Sequence, residues 1–185
     1  MIHNVAAIIG SGSHAKLLRT AFSDGTVFCS DSSVPDDMYV CIGVGNVPQT
    51  GKSDLKTRRT LYLKFKKQGI VGVEHESSTI LGDVDLTCQI MPCAIVNHGA
   101  TVCENTILNT GSIVEHDCFI GAHCHIAPGA VVLGGVRIGE ETHVGANSVI
   151  LPGMRIGRGC VIAAGAVVTD DMDDYETWIG DELYG

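Results

Sequence analysis

His116 stands between Glu115 and Asp117, and an imidazole flanked by carboxylates has the makings of a general base. One carboxylate can hold a ring nitrogen protonated and stabilise the imidazolium that forms when the other nitrogen takes a proton. A base placed in this way contributes about 10²–10⁴ in rate. Other groups recur at a fixed interval. His98 and His116 are 18 residues apart, as are His125 and His143, and as are Arg137 and Arg155. A second feature lies near the amino terminus, where the apolar run 5–9 leads into Gly10-Ser11-Gly12-Ser13-His14-Ala15-Lys16. A glycine-rich turn between a strand and a helix can approach a diphosphate with its backbone N–H groups. The full G-x-G-x-x-G pattern is absent, so an ordinary tight turn stays open beside that reading. The eight cysteines form no C-x-x-C pair. They read as reduced, buried small side chains, and no metal site is expected.

An interval of 18 asks for elements that return to the same place every 18 residues. Starting at Val84 and stepping by six, 15 consecutive positions through Val168 are aliphatic. Two residues before most of them is a small side chain, and glycine often follows, as at Gly121, Gly139, Gly145 and Gly157. Neither the helical period of 3.6 nor the strand period of 2 produces a strict six. A short strand plus a turn does. Three such units close a triangular coil of 18 residues, and stacked coils bury one aliphatic column per side. About five coils are expected over 80–170.

The chain divides by charge near residue 76. Residues 1–76 carry 9 Lys/Arg against 7 Asp/Glu, while 77–185 carry 3 against 14, giving the total of −9. The first part reads as alternating strand and helix. Strands are expected at 5–9, 27–29, 39–42 and 70–73, with a helix after the glycine turn and a basic one over 53–67 that Ser53 would cap. The domains are therefore 1–76, a repeat domain at 77–170 and a tail at 171–185. With 45% hydrophobic residues among 185, the chain can bury a real core. The acidic balance argues against nucleic acid, whose phosphates need Lys and Arg. No run of 18 apolar residues suggests membrane insertion, and no leader pattern is read, so a cytoplasmic location is expected.

The [LIV]-G-x-x-x-x hexapeptides resemble those of left-handed parallel β-helix acyltransferases. A small βαβ domain carrying I-I-G-S-G-S-H-A-K ahead of such coils is similar to one group of sugar acetyltransferases. It includes bacillosamine-type UDP-4-amino-sugar N-acetyltransferases, perosamine and viosamine N-acetyltransferases, and sialic acid O-acetyltransferases. The sharpest segments are M-P-C-A-I-V-N-H-G-A, I-L-N-T-G-S-I-V-E-H-D-C-F-I-G and H-I-A-P-G-A.

The resemblance implies a Rossmann-like nucleotide-sugar domain, a left-handed β-helix, acetyl-CoA as co-substrate and a homotrimer with sites between neighbouring coils. It implies His116 as the base, with Asp117 as its acidic partner, although Glu115 fits the residue pattern equally. His125, Gly134, Ala146 and Ala164 would line acetyl-CoA, with Gly134 against the thioester carbonyl. Gly10, Gly12, Ser13, His14, Asp31 and Asn109 would meet the nucleotide sugar, with Gly43, Asn46, Arg58 and Arg59 as further cleft candidates. Arg137 and Arg155 could meet CoA phosphates. Two places depart from the pattern. Ser30-Asp31 stands where members present two acids, and the chain ends W-I-G-D-E-L-Y-G in place of G-x-P-A-[KR].

The expected activity is transfer of acetyl from acetyl-CoA to the 4-amino group of a nucleotide-linked, UDP-type 4-amino-4,6-dideoxy sugar. Sugar O-acetylation would use the same residues. A zinc hydratase on the same coil lacks the amino-terminal domain, and a non-catalytic sugar-nucleotide binder would not turn over acetyl-CoA.

Overall fold

The computed structural model describes residues 6–10, 13–19, 27–29, 33–34, 38–44 and 56–184. Gly12, Asp31, Asn46 and Ser53 lie outside the described residues, and of Ser13 only the backbone is described.

Three strands, β1 (Ala6–Ile9), β2 (Val27–Cys29) and β3 (Tyr39–Ile42), pair in parallel in the order β2–β1–β3. Helix α1 (Ser13–Arg19) follows β1, and α2 (Lys56–Phe65) follows β3. Ala7, Ile8 and Ile9 are all buried, which fits a central parallel strand covered on both faces. Among the described residues this unit holds three strands and two helices, and a Rossmann-like domain as such is not evident in it.

From Val73 to Ile179 the chain winds as a β-solenoid whose two-residue strands stack into three parallel faces. One face has eight strands, counting the antiparallel Glu182–Tyr184 that closes it beyond Ile179, the next six and the third five. Every register pair is 18 residues apart through the middle, for example Ile113↔Val131 and Phe119↔Arg137. The second residue of each strand points inward, and Val96, Leu108, Val114, Ile120, Ile126, Val132, Val144 and Ile150 are fully buried. Each such side chain is worth about 1.5–3 kcal/mol of transfer free energy. No bulky aromatic crosses this interior until Trp178, which is 2% exposed in the last rung.

The solenoid has about six turns where five were expected. The inward column steps by four residues, not six, from Ile80 to Val84, and again from Val168 to Met172. A search in steps of six loses phase at both places, which hides the terminal rungs. Residues 171–185 supply Met172, Trp178 and the antiparallel hairpin Thr177–Ile179/Glu182–Tyr184 to the last rung. At the opposite end Glu74 occupies the inward register beside Ile90 and is exposed. A charge there closes the stack against end-to-end pairing.

Helix α2 fixes the first unit to the solenoid. Arg58, fully buried, donates from Nε to the Asn105 carbonyl at 3.1 Å and from Nη1 to the Ile42 carbonyl at 2.8 Å. Tyr62 meets the His123 ring edge-on at 5.2 Å, and Arg59 and Lys66 pair with Glu141 and Glu104. Arg58 is thereby a tie between the two units and not an open cleft residue. Among the described residues no helix is long and apolar enough to cross a membrane.

Candidate active site

His116 lies in the turn between strands Ile113–Val114 and Phe119–Ile120, at the corner joining the six- and five-stranded faces. Its Nδ1 is 2.9 Å from Asp117 Oδ2. A carboxylate only accepts, so Nδ1 carries the proton and Nε2 presents a lone pair. Glu115 is engaged elsewhere. It accepts from Asn97 Nδ2 at 2.9 Å and from the His116 backbone N–H at 3.3 Å. Of the two acidic neighbours, the geometry selects Asp117. The imidazole and the carboxylate are both mostly exposed, at 62% and 72% of their side-chain surface.

Asp117 adopts φ +59°. Every sixth residue from Cys93 to Gly165 has φ between 55° and 76°, because each corner turns through the left-handed region. Glycine holds seven of those thirteen positions. Asp117 is one of the side chains kept there despite the cost.

Gly134 is stacked one coil beyond His116. A Cβ built on it would lie 2.5 Å from His116 Nε2 and 2.7 Å from Cε1, so only glycine lets the ring sit there. The Gly134 carbonyl takes the Gly153 N–H at 3.0 Å, and the His116 carbonyl takes the Gly135 N–H at 2.9 Å. Among the described residues the Gly134 N–H has no backbone acceptor. A basic nitrogen and an uncommitted amide donor therefore share one corner.

The other predicted acetyl-CoA residues stand elsewhere on the coil. Ala146 and Ala164 occupy successive levels of the corner between the eight- and six-stranded faces, linked by Gly165 N–H to the Ala146 carbonyl at 2.8 Å. Asn109 opens the same corner two coils earlier. His125 belongs to the eight-stranded face and is only 4% exposed, where an outward surface position was expected. That face lies partly under the amino-terminal unit, and its column Gln89, Ile107, His125, His143 and Val161 is buried throughout. Arg137 and Arg155 stack exposed on the five-stranded face. One chain thus carries two separated groups of candidates, on the two corners that bound its six-stranded face.

A third group forms where β1 and β3 end. Gly10 has φ +113°, and a Cβ there would lie 3.3 Å from the Gly43 carbonyl oxygen, so the two strand ends approach closely. In the order β2–β1–β3 this gap is the topological switch point, where open α/β sheets receive ligands. His14 stands above it and bonds through Nε2 to Gln89 Oε1 at 2.8 Å. Gln89 donates its own NH₂ to the Ile42 carbonyl at 2.7 Å, which fixes its oxygen toward His14 and puts the proton on His14 Nε2. Burial lowers the His14 pKa; the Gln89 bond opposes this, and the Arg58 charge lowers it further.

Gln89 and Asn97 were not singled out by the sequence. Asn97 sits 18 residues before Glu115, so the coil interval could have found it, whereas Gln89 meets His14 only through the docking of the two units.

Residues 117–152 match the model described as bacterial transferase hexapeptide (six repeats), and 135–170 match the hexapeptide repeat of succinyl-transferase. The chain is similar over nearly its whole length to several solved structures. PerB from Caulobacter crescentus, solved with CoA and GDP-perosamine, is 25% identical with a TM-score of 0.83, covering 98% of this chain and 97% of that one. The acetyltransferase domain of PglB from Neisseria gonorrhoeae is 24% identical with a TM-score of 0.79, covering 94% and 95%. WeeI from Acinetobacter baumannii is 22% identical with a TM-score of 0.80, covering 97% and 98%. The last two likenesses speak to the fold. The hexapeptide repeats over 117–170, the stacked coils and the full-length similarity together make this chain similar to the sugar N-acetyltransferases of the left-handed β-helix superfamily.

Proposed function

We propose that the protein transfers acetyl from acetyl-CoA to the 4-amino group of a nucleotide-linked 4-amino-4,6-dideoxy sugar, with UDP as the nucleotide. The observation that carries this reading is the corner where Asp117 orients His116 and the His116 Nε2 faces Gly134. The sugar amine attacks the thioester carbon as Nε2 takes its proton. The carbonyl oxygen gains charge near the Gly134 N–H, and the tetrahedral intermediate collapses with loss of CoA thiolate. The amide stays on the sugar, and the thiolate recovers a proton from the imidazolium or from water.

The switch point at Gly10 and Gly43, with His14 above it, is read as the nucleotide end of a Rossmann-like half that also includes Gly12, Ser13 and Asp31. The solved perosamine enzyme holds both CoA and a GDP-linked amino sugar, which supports a nucleotide sugar as acceptor here. A homotrimer would bring the His116 corner of one subunit against the Ala146–Ala164 corner of the next. The six-stranded face between those corners is apolar on its outer side, with Ile95, Ile113, Val131 and Val149 only partly covered and Val167 42% exposed.

The test is release of free CoA thiol from acetyl-CoA with UDP-, GDP- and dTDP-linked 4-amino-dideoxy sugars and their hydroxyl counterparts. The expected result is rapid release with a UDP-linked amino sugar, and a loss of about 10²–10⁴ in kcat for His116→Ala with assembly unchanged. Full activity in that variant would overturn the assignment of the base. Release only with hydroxyl acceptors would replace N-acetylation by O-acetylation.

A further inference from the structure

Three cations in or just after α2 reach the solenoid, and two of them meet acids: Arg59 pairs with Glu141 and Lys66 with Glu104. Arg58 does not. Its side chain is fully buried, and among the described residues the ionisable groups of opposite sign that bear on it are the thiols of Cys41 and Cys88. Burial pushes both thiols up to about 12, so neither is an anion at neutral pH. The guanidinium is itself drawn down by burial to about 10 and stays charged.

The contacts of Arg58 solvate this charge without neutralising it. Nε donates to the Asn105 carbonyl, and Nη1 donates to the Ile42 and Val44 carbonyls at 2.8 and 3.2 Å. Nη2 is buried with no hydrogen-bond partner. A buried cation without a counter-charge is costly. Fastening the two units does not by itself call for one, because Gln89 bonds the same Ile42 carbonyl with a neutral amide. Ile42 and Val44 flank Gly43, whose carbonyl oxygen borders Gly10 at the switch point. The guanidinium therefore stands directly behind the strand end that lines this gap. Its field reaches the mouth, where the Arg58 charge adds to burial in lowering the His14 pKa.

We propose that the missing counter-charge is the diphosphate of the acceptor, so that Arg58 is a positioning residue that selects a charged nucleotide from behind the end of β3 without touching it. This deepens the reading above and rests on its placement of the nucleotide at the gap between Gly10 and Gly43. Salt screens a buried charge far less than an exposed one. The pull of Arg58 on a diphosphate therefore persists at high ionic strength, where that of surface cations fades. Contacts to the base and the sugar are left unchanged by it.

The experiment is equilibrium binding of two matched pairs, UDP with uridine and GDP with guanosine, to the full chain. In the wild type the diphosphate should bind at least about 10-fold tighter than its nucleoside, the scale of a unit charge acting across a partly buried gap. Raising salt from about 0.05 to about 0.5 M should reduce that ratio by no more than about threefold. Arg58→Lys keeps the charge and should keep the ratio. Arg58→Gln keeps hydrogen-bond donors but no charge, and should lower the ratio about 10-fold through the diphosphate alone. A purely structural tie would weaken nucleoside and diphosphate alike. An unchanged ratio in Arg58→Gln, or equal losses for both ligands, overturns the proposal and leaves the nucleotide reading intact. If neither variant folds, the wild-type salt series decides, and a ratio that collapses with salt overturns the proposal as well. Failure of both diphosphates to bind the wild type overturns the nucleotide reading, and the role of Arg58 with it.

Discussion

Asp117 is placed by its chemistry against the preference of its backbone. A left-handed φ costs a residue bearing a Cβ about 1 kcal/mol or more, and glycine fills most of the equivalent corners. Asp117→Gly and Asp117→Ala both remove the carboxylate that fixes the His116 tautomer, so both should lower kcat, by less than loss of the imidazole itself. They should differ in stability, with the alanine variant lower than the glycine variant by about 1 kcal/mol, since only alanine bears a Cβ in the strained turn. Urea denaturation beside steady-state kinetics separates the two effects. Equal stability of the two variants would show that the turn tolerates a Cβ without strain. The E-H-D cluster was legible in the sequence, but the choice between its acids was not. Glu115 and Asp117 are equivalent in one dimension. They are distinguished only by Asn97, which lies one coil away and occupies the glutamate.

Among the elements, the small residues two places before each aliphatic do more than leave room. On the inner side of the corner between the five- and eight-stranded faces, one column reads Cys88, Thr106, Cys124, Thr142 and Cys160. Each donates to a turn carbonyl of the same coil at the level where that coil closes. Cys88 reaches the Cys103 carbonyl at 3.1 Å, Thr106 the Gly121 carbonyl at 3.0 Å, and Cys124 the Gly139 carbonyl at 3.1 Å. Thr142 and Cys160 do the same toward Gly157 and Asp173 at 2.8 and 3.0 Å. The interval of six was plain in the sequence, and so was the small size. The donor role was not, because cysteine and threonine look like filler until the carbonyl they face is known. Burial pushes the Cys88 and Cys124 thiols up to about 12, while Cys93 is exposed. A thiol reagent at neutral pH should therefore label Cys93 in the native protein and reach Cys124 only on unfolding. Cys124→Ser keeps a donor and should fold normally, whereas Cys124→Val leaves a buried carbonyl unpaired and should lose about 1–3 kcal/mol. Rapid native labelling of Cys124 would show that the coil interior opens far more readily than its packing implies.

Over the whole molecule, the His116–Gly134 corner and the candidate acetyl-CoA corner do not meet within one chain. His116 and Gly134 occupy one edge of the six-stranded face, Ala146 and Ala164 the other, and the apolar face between them is half covered. Three copies arranged about an axis would join unlike edges and bury that face, a closed cyclic assembly. The interval of 18 showed which residues share a corner, but nothing in one sequence shows which corners of different copies come together. Mixing inactive parents tests this directly. His116→Ala destroys the base edge, and Ala146→Trp blocks the opposite edge while leaving His116 intact. If each site takes one edge from each of two neighbours, trimers reassembled from equal amounts of the two variants contain about one restored site in four, with activity near a quarter of wild type. If both edges of a site belong to one chain, every site in the mixture keeps a defect. The mixture would then stay as inactive as its parents, and the trimeric site would have to be abandoned even with His116 retained as the base.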